Sequence, residues 1–138
     1  MSTNQERNLD VVRALYDATS KADWTAAELH LTDDFYVTEA GTMPFAGVYH
    51  GRGALRELFT KVMTMLDVAS LDLQVLTAGG DHVVALLDMV LAADGQARVP
   101  IAEIFRFREH KVCEIRPYYF DPRPVIAAVE ARRRAEKA

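Results

Sequence analysis

Between Ser70 and Phe120 the hydrophobic period is two, and it breaks at only three short places. "SLDLQVL" alternates apolar and polar side chains cleanly, the pattern of a half-buried strand, and "HVVALLDMVLA", "RVPIAEIFRF" and "VCEIRPYYF" read as three further strands. The breaks are "GGD" (79–81), "ADGQ" (93–96), which contains the Asp-Gly hairpin pair, and "REHK" (108–111). Turns this short leave no room for a crossover helix, so the four strands must form an antiparallel meander. One face of such a sheet needs a cover, and the cover has to come from the rest of the chain.

The remaining segments supply it. "TNQE" (Thr3 to Glu6) fits a capping box, and Leu9, Val12, Tyr16 and Thr19 follow at helical spacing, widened by Val11, Leu15 and Ala18. This predicts a first helix over residues 4 to 20. Asp23 reads as the N-cap of a short second helix, "WTAAELHL", closed by "TDD" before a first strand, "FYVTE". "AGTMPFAGVYHGRG" carries Gly and Pro and reads as an irregular loop. "ALRELFTKVMTMLD" predicts a third helix with Leu55, Leu58, Phe59, Val62, Met63 and Leu66 on one face. "DPRPVIAAVEARRRAEK" predicts a closing helix with Asp121 as N-cap and Pro122 at the first helical position. The fold class is therefore α+β, in a single domain over residues 1–138, with helices segregated to one side of a mostly antiparallel sheet.

Bulk properties exclude several functions. The formal net charge is -4, which argues against a nucleic-acid binder. Arg132, Arg133 and Arg134 read as a solvated helix end. The single cysteine, Cys113, permits no internal disulfide and reads as a small buried residue. No signal-like or membrane-spanning apolar run occurs, so a cytoplasmic protein without membrane contact is expected. No zinc, phosphate-loop or dinucleotide motif is present, so an enzyme built on this chain is expected to need no metal and no cofactor.

Two carboxylates break the strand pattern. Phe35 and Val37 share a strand face, and Glu39 falls on it too. In "RVPIAEIFRF", Val99, Ile101, Phe105 and Phe107 share a face, and Glu103 falls in its middle. Burying an ionised carboxylate is costly, so the group gains a partner or a raised pKa. A carboxyl with a raised pKa serves as general acid or base near neutrality, or donates a hydrogen bond while protonated. Other polar residues have simpler readings. Asp88 suits a contact with a charged neighbour on the open sheet face, Asp121 a helix cap, and His50 and His82 exposed turns.

The order of elements, with "KADWTAAELHLTDDFYVTEAG", "GVYHGRGALRELF" and "AEIFRFREHKVCEIRPYYFDP", resembles the nuclear transport factor 2-like superfamily, which includes ketosteroid isomerases and SnoaL-like polyketide cyclases. The resemblance implies a cone: a strongly curved sheet with N-terminal helices packed over its concave face, enclosing an apolar pocket. It places Glu39 at the isomerases' general base and Glu103 at their protonated, enolate-binding carboxyl, with Glu for Asp at both. It also places Leu15 where the isomerases carry an oxyanion-binding tyrosine, which argues against ketosteroid isomerisation itself. Tyr16 lies about 100° round the helix from that position, so Tyr119 is expected to supply the donor.

The expected catalytic set is thus Glu39, Glu103 and Tyr119, with Tyr16, Phe35, Val37, Phe45, Phe59, Ile101 and Phe105 binding a small apolar ligand. The expected activity is cofactor-independent proton transfer on a carbonyl compound, as an isomerase or an aldol-type cyclase. The alternatives are a non-catalytic ligand-binding or dimerisation module, and a hydrolase with a carboxylate-activated water. The outer sheet face, with Ile104, Arg106, Glu114, Arg116 and Tyr118, is expected to pair two copies as a homodimer.

Overall fold

A computed structural model of the chain describes residues 3–92 and 96–137. The "ADGQ" hairpin centre lies outside them except for Gln96, so its turn type is not described. Helix α1 spans Asn4–Ser20 and opens with the capping box: Thr3 Oγ1 accepts from the Glu6 amide and Glu6 Oε2 accepts from the Thr3 amide, each at 3.1 Å. Helix α2 is Trp24–Glu28, capped by Asp23, whose Oδ1 accepts from the Ala26 amide at 3.2 Å. Strand β1 is Leu31–Glu39, so "TDD" lies within the strand rather than ahead of it. Asp33 and Asp34 are exposed, which is why the segment reads as a terminator in sequence.

The "AGTMPFAGVYHGRG" stretch is not wholly irregular. Gly47–His50 forms a short strand, β2, antiparallel to β1 with Val37 opposite Tyr49 and Glu39 opposite Gly47. Four residues with one inward side chain are too few for a period to show. Helix α3 covers Ala54–Met65. The meander follows as β3 (Val68–Gly79), β4 (His82–Leu91), β5 (Arg98–Arg108) and β6 (Lys111–Tyr119). Helix α4 covers Arg123–Lys137, and Asp121 Oδ1 accepts from the Arg123 amide at 3.1 Å.

The six strands make one sheet in the order β2-β1-β6-β5-β4-β3. Every neighbouring pair is antiparallel except β1 and β6, which run parallel. Register shifts occur twice in β3 against β4, once between β5 and β6 at Cys113, and once between β1 and β6 between Leu31 and Tyr36. Bulges of this kind bend a strand and increase its twist, and they curve this sheet. Helices α1, α2 and α3 lie against its inner side, with Val12, Leu15, Ala27 and Leu58 buried there. Helix α4 buries Val125 and Val129 and touches α3. Arg132 is more than a solvated end: its guanidinium donates to the Met63 carbonyl at 3.2 Å and to Asp67 at 3.4 Å, tying α4 to the end of α3.

The outer face carries polar pairs, including the charged contact expected of Asp88. Glu114 accepts from Arg106 at 3.0 Å and from Arg116 at 2.8 Å, and Asp88 accepts from Arg98 at 3.0 Å and from Gln74 at 3.1 Å. Cys113 is buried as expected, and it is the extra residue of the β6 bulge. Among the described residues no helix is long and apolar enough to cross a membrane.

Candidate active site

Strand order decides which side chains meet. Strand β6 lies between β1 and β5. Val37 is opposite Ile115, Ile101 is opposite Tyr119, and Glu103 is opposite Pro117. Alternation then sends Glu39 of β1, Tyr119 of β6 and Glu103 of β5 to the same concave face, with the tyrosine strand between the two glutamate strands. On the other side of Glu103, its β4 partner is Ala85, a small residue. Helix α1 passes over this face and brings Tyr16 down onto it.

These residues line one cavity of about 500 Å³. Val37, Ile101, Phe105 and Ile115 form its floor, with Leu87 and Met89 from β4. Phe45, Leu55, Leu58 and Phe59 form one wall, Leu15 and Tyr16 another. Val62, Met63, Leu71 and Leu73 lie at the side where exposure rises, with Thr19, Ser20 and Ser70. Phe59 is held from behind by Trp24, edge to face at 5.3 Å between ring centres. Phe35 does not reach the cavity. It is 0% exposed, within the core, because it lies further back along β1 than Val37. Tyr49 is also a core residue, its hydroxyl donating to the Phe45 carbonyl at 2.8 Å.

Each glutamate is paired with a tyrosine. The Tyr119 hydroxyl donates to Glu39 Oε1 at 3.0 Å. The Tyr16 hydroxyl donates to Glu103 Oε1, and its ring packs edge-on against Phe105 at 5.7 Å. Tyr119, expected as a donor to the substrate oxygen, holds Glu39 instead, and Tyr16 holds Glu103. The first helix does bring a donor to the site, at Tyr16, one residue after Leu15. Tyr16 shares its stripe with Val12 and Thr19, the signal that could have placed it. In both couples the second carboxyl oxygen has no protein partner among the described residues and is left to the cavity.

The electrostatics follow from burial. Glu39 is 7% exposed, and desolvation pushes its carboxyl up to about 8. The Tyr119 hydrogen bond opposes that rise and the Glu103 charge adds to it. Glu103 is raised as well, by burial, against the pull of Tyr16. Both tyrosines are pushed far up, by burial first and then by the carboxylates, so they stay neutral donors. Asp88, Asp121, His50 and His82 do not line this cavity. Among the described residues no three His, Cys, Asp or Glu side chains are grouped to hold a metal ion.

A bent mixed sheet with helices over its hollow is the fold of nuclear transport factor 2-like proteins. Solved structures agree. A protein of unknown function of this fold from Burkholderia pseudomallei matches with a TM-score of 0.76 at 19% identity, over 94% of this chain and 98% of that one. Bal32a, from a soil-derived mobile gene cassette, matches with a TM-score of 0.78 at 19% identity, over 88% and 95%. TerC, co-crystallised with polyporic acid, matches with a TM-score of 0.76 at 17% identity, over 90% and 98%. Within that superfamily the chain belongs to the SnoaL-like domain family, whose pattern it matches over residues 12–115. No curated relative matches it.

Proposed function

We propose that the protein is an acid–base enzyme acting on a small apolar carbonyl compound, as an isomerase or an aldol-type cyclase. The observation that carries this reading is the pair of glutamates in one apolar cavity, each with one oxygen held by a tyrosine and the other left to the cavity. TerC, with its polyporic acid, supports the reading of the hollow as a small-molecule site.

In the proposed reaction, ionised Glu39 removes a proton from the carbon next to the carbonyl. Its pKa near 8 matches a base working close to neutrality. Tyr119 occupies Oε1 and so presents Oε2 as the basic atom. Glu103 stays protonated. Because Tyr16 donates to Oε1, the acid proton belongs on Oε2, from where it donates to the carbonyl oxygen as that oxygen gains charge. The Tyr16 bond makes Glu103 a stronger donor, since linked hydrogen bonds polarise one another. Glu39 then returns its proton at another carbon, which isomerises a double bond, or the enolate attacks a second carbonyl of the same molecule, which closes a ring.

The test is proton exchange in heavy water, followed by NMR on a panel of small β,γ-unsaturated and 1,3-dicarbonyl compounds. Wild type should exchange the α-proton, with kcat/KM rising with pH to about 8. Glu39→Gln should lose about 100- to 10,000-fold, the usual worth of a positioned base. Equal exchange by wild type and Glu39→Gln would refute the assignment of the base.

A further inference from the structure

The charge balance of the cavity points past neutral carbonyl compounds. Among the described residues that line it there are two glutamates and no lysine, arginine or histidine. A bound anion would meet two acids and no counter-ion. A bound cation would find an ion-pair partner in Glu39 once that carboxyl has lost its proton. The groups able to receive it are in place. Glu39 is 7% exposed and offers the cavity an oxygen with no protein partner among the described residues. The rings of Tyr16, Phe45, Phe59, Phe105 and Tyr119 line the same space, and aromatic faces attract cations most strongly where water is excluded.

We propose that this cavity binds hydrophobic amines, each a compact apolar body with one protonated amino group, through an ion pair between the ammonium and Glu39. The inference does not depend on catalysis. It extends the ligand range of the cavity to cations.

The proton count makes it testable. Below about pH 8 Glu39 carries a proton in the empty cavity. An ammonium entering there forms its ion pair only as that proton leaves to solvent, one proton released per amine bound. Amine affinity should therefore rise about tenfold per pH unit up to about pH 8 and then level off. The titratable groups facing Glu39 are Tyr119 from β6 and Glu103 from β5, with Tyr16 of α1 behind Glu103. Helix α3 and strands β3 and β4 contribute apolar and hydroxyl side chains. Both tyrosines stay neutral across the range, so the slope comes from the carboxyls, and its loss in Glu39→Gln assigns it to Glu39.

Three probes of one shape decide the matter: naphthylmethylamine, naphthylmethanol and naphthoate, titrated by calorimetry from about pH 6 to 9. The amine should bind more tightly as pH rises, and its apparent heat should change with the ionisation heat of the buffer. The alcohol should bind with no pH dependence, and naphthoate more weakly than either. Glu39→Gln should bind the amine no better than the alcohol at any pH, with its alcohol affinity reporting that the cavity is intact. An amine affinity that is flat in pH, or no higher than that of the alcohol in wild type at pH 8, would overturn the proposal. So would absence of amine binding at about millimolar concentration, whether or not the alcohol binds. These are equilibrium readouts, so a protein inert in proton exchange can still meet them and an active enzyme can still fail them.

Discussion

Replacing Glu39 by glutamine should stabilise the folded protein, and the gain should depend on pH in a way that reports the depth of the site. In the folded state the carboxyl titrates near 8, against an ordinary value of 4.5. Between those two values the folded protein holds a proton that the unfolded chain has released, so stability falls as pH rises. At about 1.4 kcal/mol per pKa unit the full loss is about 5 kcal/mol, present above pH 8 and absent below pH 4.5. That is a large share of the roughly 5–15 kcal/mol by which native proteins are stable. The side-chain amide of the Glu39→Gln variant keeps an oxygen that can accept from Tyr119 and carries no charge at any pH. Urea unfolding of both proteins at unit steps from about pH 5 to 9 measures the difference. The advantage of Glu39→Gln should be small at the acid end, widen by about 1.4 kcal/mol per unit, and level off near pH 8. A difference constant to within about 1 kcal/mol across the range would mean that Glu39 is solvated in the folded state. The proton-transfer mechanism would then have no raised base to rest on.

Tyr16→Phe removes the bond that holds Glu103 down, so the Glu103 pKa should rise further, read by carbon NMR of the carboxyl. Turnover should fall by less than the ~100-fold typical of a donor in direct contact with the oxyanion, because Tyr16 acts through Glu103. Phe35→Ala should cost about 3–5 kcal/mol of stability in urea unfolding and leave naphthylmethanol affinity unchanged, while Phe59→Ala, in the cavity wall, should change that affinity. In the β5–β6 turn, Glu109 and His110 both have positive φ, at 51° and 67°. The double replacement Glu109→Asn, His110→Gly should therefore raise the melting temperature by roughly 2–8 °C per kcal/mol regained, against the ~1–2 kcal/mol that left-handed backbone costs per residue.

The meander was legible because strands with one dry face alternate, and β4, β5 and β6 all have one. The inward setting of Glu39 and Glu103 was legible for the same reason: a carboxylate out of phase with its polar neighbours is in phase with the core. Strand β2 was not, because its information is in its register with β1 and not in its own four residues. Nor were the tyrosine pairings. Tyr119 lies diagonally from both glutamates, one strand away from each, so periodicity alone leaves its partner open. The strand register brings both glutamates within its reach, and Tyr16 from α1 already holds Glu103. Phe35 shows the converse error. It shares a face with Val37, yet depth along the strand, which alternation does not report, puts it in the core.

The two couples also explain how an apolar cavity could host charge at all. In the proposed reaction the cavity carries one negative charge from start to finish. Before transfer it sits on Glu39 Oε2, and afterwards it sits on the substrate oxygen beside the Glu103 proton. No charge enters or leaves during the chemical step, so burial, which raises both acids, acts on the reactant and on the enolate alike. What differs is the donor set at each end: Tyr119 at the base, and Glu103 backed by Tyr16 at the oxygen. A charge that leaves a carboxylate with one tyrosine for an oxygen facing a carboxylic acid gains the stronger donor as it moves, since a Glu103 proton is far more acidic than a buried phenol. The barrier is therefore governed by the contrast between the two couples, and substitutions at Tyr119 and Tyr16 should act on it with opposite sign. Loss of Tyr119 leaves a stronger base, whereas loss of Tyr16 leaves a poorer donor.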